Sequence, residues 1–248
     1  MDLGLNGKRA AVAAASTGLG LASARALASE GVRVAICGRD RDRIERAAAS
    51  LPGEAVALVA DVSSPEGAAG FVRQASQSLG GLDILVTNAG GPPAGNFSAT
   101  DLSAYQAALN LNLMSVVAMC HEAVPAMRAQ GWGRVVAITS ISVRQPIPTL
   151  ILSNTARAGA TAFLKTLATE VAPNGVTVNS VQPGYHATDR LRALRGDAVD
   201  QLAEEIPARM LGDPADFGAV ITFLCSQQAR FMTGAAIPVD GGEARGLQ

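Results

Sequence analysis

The sequence predicts a single α/β domain built on a doubly wound parallel sheet, and two observations carry that expectation. Short β-branched runs alternate with longer alanine-rich stretches along all 248 residues. The short runs are also apolar throughout rather than on alternate residues, as strands are when both faces of their sheet are covered. Regular β-α alternation with right-handed crossovers then winds them into one open sheet.

Taken in order, the first strand is expected at 9–14 (RAAVAA) and a helix at 19–30, rich in Ala and Leu. A second strand follows at 32–37 (VRVAIC), then a charged helix at 41–51 and a third strand at 55–60 (AVALVA). A helix at 66–79 leads to the fourth strand, 83–87 (DILVT). One long helix is expected over 101–130, then a strand at 134–139 (RVVAIT), a helix at 154–171 and a strand at 176–181 (VTVNSV). A helix at 215–226 and a seventh strand at 235–239 (AAIPV) close the series. No repeat, low-complexity tract or linker divides residues 1–248. The stretch 184–213 leaves the rhythm, being charged and carrying Gly196, Pro207 and Gly212. Lying after a strand's carboxyl end, it is expected to be a substrate lid, with a plain surface helix pair as the alternative.

Bulk properties exclude several function classes. Hydrophobic residues make up 48% and charged residues 17%, enough apolar material for one large core. A formal net charge of −1 leaves no electrostatic footprint for nucleic acid or an anionic membrane. Cys37, Cys120 and Cys225 are far apart without a C-x-x-C, so they are expected as buried thiols in a reducing compartment. The first residues lack a signal peptide's basic and apolar regions. The uncharged run 102–121 contains Ser103, Gln106, Asn110, Asn112 and Ser115, too many polar groups for lipid. A cytoplasmic protein is the expectation.

Chemistry concentrates at the strand ends. Ala13-Ala14-Ala15-Ser16-Thr17-Gly18-Leu19-Gly20 follows a strand and opens a helix, where unpaired N–H groups and a partial positive charge face a ligand's phosphates. Gly18 and Gly20 allow close backbone approach, whereas Ala14 puts a methyl group at the tightest part of the turn.

These residues, with several further motifs, resemble the short-chain dehydrogenase/reductase family, particularly its 3-oxoacyl-[acyl-carrier-protein] reductase-like members. The motifs are Asp61-Val62 after the third strand, Thr87-Asn88-Ala89-Gly90 after the fourth, Pro183-Gly184 with Thr188 after the sixth, and Val239-Asp240-Gly241-Gly242 near the end. The resemblance implies a Rossmann-type fold and an NAD(P)-dependent oxidoreductase acting on a CH–OH or C=O group. It departs from the family's Thr-Gly-x-x-x-Gly-x-Gly at Ala13 and Ala14. The implied cofactor contacts are Ala14, Ser16, Thr17, Gly18, Leu19, Gly20, Asp61, Val62, Asn88, Ala89, Gly90, Pro183, Gly184 and Thr188. Gly38-Arg39 ends the second strand without an acid for a ribose 2′-OH and with a cation for a 2′-phosphate, which favours NADP(H) over NAD(H).

The same resemblance assigns Asn112 to a relay asparagine and Ser140 to a serine that hydrogen-bonds the substrate oxygen. The family's tyrosine and lysine fall on Ser153 and Arg157. A serine hydroxyl is a far weaker acid than a phenol, and arginine stays protonated and relays protons poorly. The expected catalytic set is therefore Asn112, Ser140, Ser153 as an oxygen-contacting donor and Arg157 as a ribose binder. Tyr185 or His186, beside Pro183-Gly184, are candidates for a surrogate acid, with pocket wall or lid packing the alternative. Tyr105 and His121 are expected to pack on the long helix. Arg190, Arg192 and Arg195 either attract an acidic substrate or form a solvated helix face.

Nothing resembles a nucleophile elbow or a metal-ligand cluster. The rival readings are a nucleotide-binding regulatory protein without turnover, and a non-redox dehydratase or isomerase. The family resemblance implies a homodimer or homotetramer acting on a small molecule.

Overall fold

The computed structural model describes residues 1–196 and 199–246. Seven strands appear in chain order as β1 (Arg9–Val12), β2 (Arg33–Gly38), β3 (Ala55–Val59), β4 (Ile84–Thr87), β5 (Gly133–Ile138), β6 (Val176–Pro183) and β7 (Ala236–Val239). All pair in parallel in the order β3-β2-β1-β4-β5-β6-β7. The order reverses between β1 and β4, and the connections leaving their carboxyl ends part there to opposite faces. That crevice is where an open α/β sheet holds a ligand.

The helices are α1 (Gly18–Ser29), α2 (Arg41–Ala49), α3 (Pro65–Leu79), α4 (Ser103–Leu109), α5 (Ser115–Ala129), α6 (Ile151–Val171), α7 (Asp189–Arg195), α8 (Val199–Glu205) and α9 (Pro214–Cys225). They cover both faces, and the two-residue period of each strand divides the core accordingly. Ala11, Ala35, Leu85, Val135 and Val178 point to the α3, α5 and α6 side. Ala10, Val34, Ile84, Val136 and Val181 point to the α1, α2 and α9 side. Both layers are buried, which is why most strands read as apolar without alternation, β6 with Thr177, Asn179 and Ser180 being the exception. Cys37, Cys120 and Cys225 are buried within these layers, and desolvation pushes each thiol up to about 12.

Each expected strand lies on an observed one, with three local differences that bear on function. The 9–14 strand stops at Val12, because Ala14 turns into the left-handed region at φ 46. The 154–171 helix begins earlier, at Ile151: Gly95 pairs with the backbone of Thr149 and Ile151 and fixes the start. The 101–130 helix is interrupted by one π-helical turn, Asn110–Met114, a distortion that often marks functional positions. By length and composition, Ser103–Ala129 is the one helix among the described residues that could cross a membrane. Here it packs on α3 and α6. Its His121 is exposed, which corrects the expectation that this side chain packs: its turn of α5 faces away from the sheet.

The 184–213 stretch forms α7 and α8 beside the crevice, with Asp197 and Ala198 outside the described residues. Leu191, Val199 and Leu202 make a small apolar cluster of their own, against which Tyr185 and Leu211 pack.

Candidate active site

A cavity of about 650 Å³ opens at the carboxyl ends of the central strands and collects nearly every residue singled out in the sequence. It runs from Gly38, Arg39, Asp61 and Val62, past the α1 turn, to Asn88–Pro92, Ser140, Ser153 and Arg157. Pro183–His186 and Thr188–Leu191 form its remaining wall, while Asn112 lies just behind the lining.

The α1 end is built for an anion. Thr17 occupies the N-cap but makes no side-chain cap bond, so the first N–H groups of this twelve-residue helix stay available to a ligand. By contrast, Asp40, Ser64, Thr188 and Asp213 all cap their own helices. Gly18 takes a left-handed φ of 60. A Cβ on Gly20 would lie 2.8 Å from both Ala14 O and Asn88 Nδ2, so only glycine fits beneath the turn. Asn88 Nδ2 donates to Ala14 O at 3.1 Å, and Ala14 N–H donates to Cys37 Sγ at 3.4 Å. Those bonds hold Ala14 in its strained conformation and join the turn to β2 and β4. This cradle fits a dinucleotide's diphosphate.

At the neighbouring end, exposed Arg39 and Asp61 face the same cavity, above buried Val62. Asp61 Oδ1 accepts Ser63 N–H at 2.9 Å, which orients the carboxylate. Gly38 leaves room beside Ser16, whose Cβ would stand 3.3 Å from a side chain at that position.

The opposite end holds the reactive polar groups. Asn112, buried in the π turn, donates from Nδ2 to Gly90 O at 2.9 Å. Its Oδ1 is buried without a protein partner among the described residues. Ser140 follows β5, and its Oγ accepts Ser142 N–H at 3.1 Å, leaving the hydroxyl proton to be donated elsewhere. Ser153, in the first turn of α6, is buried and lines the same space. One turn later, Arg157 donates from Nη1 to Ile138 O (3.1 Å) and Thr139 O (3.2 Å), and from Nη2 to Gly90 O (3.4 Å). Its guanidinium thus ties β5 to the loop after β4 and shares the Gly90 carbonyl with Asn112. Nε–H and one Nη2 hydrogen remain for a ligand. Desolvation, then repulsion from Arg190, pushes the Arg157 pKa down to about 10, so it stays a cation at neutral pH.

Pro183 ends β6, and Gly184 passes so close to Asp240 that a Cβ would meet its Cα at 2.9 Å. Asp240 in turn accepts from Gly242 N and Ala244 N, which locks the Val239–Gly242 corner under the loop. Thr188 caps α7, and its Cγ2 would lie 3.8 Å from a Cβ on Gly18, bringing the loop over the α1 turn. Tyr185 lines the cavity while packing on Leu191 and Val199. His186 also borders it, yet its ring packs edge-on against Phe217 and against Gly212, with Nδ1 3.2 Å from Gly184 O. Burial lowers its pKa, which favours the neutral ring.

Sequence reasoning missed Leu111, Leu150 and Gly91 as lining groups. It also left Arg190 undecided between a solvated face and the site. Arg192 is exposed and the Arg195 side chain lies outside the described residues. Arg190, also exposed, lines the cavity.

Comparison with known proteins agrees with this geometry. A family model described as Enoyl-(Acyl carrier protein) reductase matches residues 13–243. The chain is 33% identical over 249 residues to dehydrogenase/reductase SDR family member 4 of Sus scrofa, covering 98% of this chain and 89% of the relative. It is 32% identical over 229 residues to acetoacetyl-CoA reductase of Cupriavidus necator, covering 91% and 93%. Among solved structures, L-sorbose reductase from Gluconobacter frateurii, complexed with NADPH and L-sorbose, matches with a TM-score of 0.93 at 32% identity over the full length of both chains. A crevice at the strand-order reversal, an uncapped glycine-rich helix start and matches of this extent place the chain in the short-chain dehydrogenase/reductase family of oxidoreductases.

Proposed function

We propose that this protein is an NADP(H)-dependent reductase of a small carbonyl or ketoacyl-type compound, working with Ser153 and Arg157 where the family has Tyr and Lys. The observation that carries the reading is that Ser140, Ser153 and Arg157 share one cavity with the α1 turn and Arg39. The Cupriavidus necator and Gluconobacter frateurii relatives, a reductase of acetoacetyl-CoA and one complexed with NADPH, support it.

The α1 N–H groups, Ser16, Thr17 and Thr188 would hold the cofactor's diphosphate, Asp61 and Val62 its adenine, and Arg39 its 2′-phosphate. Asn88, Ala89, Gly90, Pro183, Gly184 and Arg157 would enclose the nicotinamide end. When bound, NADPH supplies the hydride that converts a carbonyl carbon to a carbinol carbon. Ser140 and Ser153 donate hydrogen bonds to the carbonyl oxygen and orient that carbon. Arg157 adds a fixed positive charge where negative charge develops on the oxygen, without passing a proton. The proton completing the alcohol comes from water, because neither serine is a sufficient acid. Tyr185 forms the pocket wall on the α7 side. Helices α7 and α8 are the proposed lid, and Leu191, Val199 and Leu202 give them a small apolar cluster of their own.

Titration with NADPH and NADH, followed by nicotinamide fluorescence, tests the cofactor half. NADPH is expected to bind in the micromolar range with NADH at least tenfold weaker, and binding of neither by folded protein would refute it. The catalytic half is tested with Ser153→Tyr/Arg157→Lys. Restoring an acid of suitable pKa should raise carbonyl reduction roughly 10²-fold or more. No gain in a folded, NADPH-binding double variant would refute the account of Ser153 and Arg157.

A further inference from the structure

Arg190, though exposed, is set apart from the other arginines of its helix by lining the cavity beside Arg157. Three arginines line the cavity, and Arg39 lies at the far end with Asp61. The other two meet at the reactive end. Arg157 Nη2 donates to Gly90 O at 3.4 Å. Arg190 lies over the next residue: a Cβ on Gly91 would collide with its Nη2 and lie 3.0 Å from its Cζ. Both guanidiniums therefore border the Gly90–Gly91 backbone.

Two like charges on one wall of a cavity favour an anion that joins them. Among the described residues no carboxylate lies within 4 Å of either guanidinium. Asp189 also faces the cavity but does not reach them at that distance. The neighbouring Gly91 has no side chain to fill the space Arg190 occupies.

We infer that Arg190, backed by Arg157, holds a carboxylate of the substrate beside the Ser140/Ser153 pocket, so that the protein acts on oxo acids rather than neutral ketones. The inference rests on the reductase reading and specifies its substrate class. A planar guanidinium pairs with a carboxylate through two parallel hydrogen bonds, which Arg190 can supply with the Arg157 charge behind it. The diphosphate of the cofactor is the other anion in reach. Placement favours the carboxylate: Thr188, not Arg190, lies over the α1 turn at Gly18, while Arg190 lies over the loop after β4.

The test is calorimetric titration of acetoacetate, benzoylformate and their methyl esters into the cofactor-free and the NADPH-loaded protein, repeated with Arg190→Met. At least one acid should bind tenfold or more tightly than its ester, and Arg190→Met should abolish that preference while changing NADPH affinity less than twofold. Equal binding of acids and esters, or a preference surviving in Arg190→Met, would overturn the inference. So would a tenfold loss of NADPH affinity in the variant, which would assign Arg190 to the diphosphate. Because acid binding is also measured without cofactor, failure of NADPH to bind would count against the proposed reductase while the anion site is still decided.

Discussion

Replacing Ala14 with glycine removes the one strained residue of the phosphate-binding turn and tests whether that strain is real. Ala14 has φ 46, and apart from Arg209 it is the only described non-glycine residue at positive φ. An L-residue in the left-handed region costs about 1–2 kcal/mol, which glycine avoids. Against this, glycine widens the unfolded ensemble, a loss of about 0.4–1 kcal/mol. Removing a half-buried methyl group costs a few tenths more, scaled from about 0.8 kcal/mol for a fully buried one. The bonds to Cys37 Sγ and from Asn88 use only the Ala14 backbone and survive. The net is a gain of about 0.5 kcal/mol, or a Tm higher by roughly 1–2 °C in a domain of this size. Paired thermal melts followed by circular dichroism, at matched protein concentration, resolve that difference. NADPH affinity should hold or improve, since the turn keeps its geometry and loses a methyl group from the cavity wall. A Tm lowered by 2 °C or more would refute the argument, because it would mean that the methyl group contributes packing worth more than the strain it imposes.

The neighbouring glycine behaves oppositely. Gly20→Ala places its Cβ 2.8 Å from Ala14 O, and overpacking of this kind costs roughly 1–3 kcal/mol. NADPH titration should show at least a tenfold loss of affinity together with a lower Tm, and unchanged affinity would contradict the geometry of the turn. The pH profile of reduction gives an independent check on Arg157. His186 is held neutral above its lowered pKa, so it adds no limb between pH 7 and 9, whereas loss of the Arg157 cation should bring activity down near pH 10. The falling limb should move upward in Arg190→Met, where the repulsion is relieved. A limb that does not move in that variant would refute its assignment to Arg157.

What was legible in the sequence was local or periodic. Strands buried on both faces announce themselves as unbroken apolar runs, and the α1 turn follows its strand so closely that Gly18 and Gly20 point to a phosphate site by position alone. Even the tension at Ala14 could be anticipated, because a methyl group at the tightest point of a turn has a known cost. What stayed hidden depends on contacts between distant segments. The true start of α6 at Ile151 is set by pairing with Gly95, so Ser153 lies inside the helix rather than ahead of it. The π turn around Asn112 is invisible in a helical apolar pattern. Arg190 looked like one of three solvated arginines because its direction is decided by where Thr188 docks against Gly18 and by the missing side chain of Gly91.

Ser153 and Arg157 are easier to understand together than one at a time. Serine alone at position 153 would leave a lysine with no phenol to activate. Arginine alone at 157 would put an immobile cation, bonded to three backbone carbonyls, beside an acid that needs a relay. On the proposed reading, a pocket with both keeps two hydroxyl donors and a charge that persists at neutral pH. Such a site would orient and stabilise an oxyanion but take its proton from elsewhere, and it would gain most from substrates that bind strongly by other means. On the inference above, a second arginine at 190, lining the same space, would supply such a means: binding energy from an anionic group beside the carbonyl can hold the reacting carbon in place and offset what the missing acid no longer contributes.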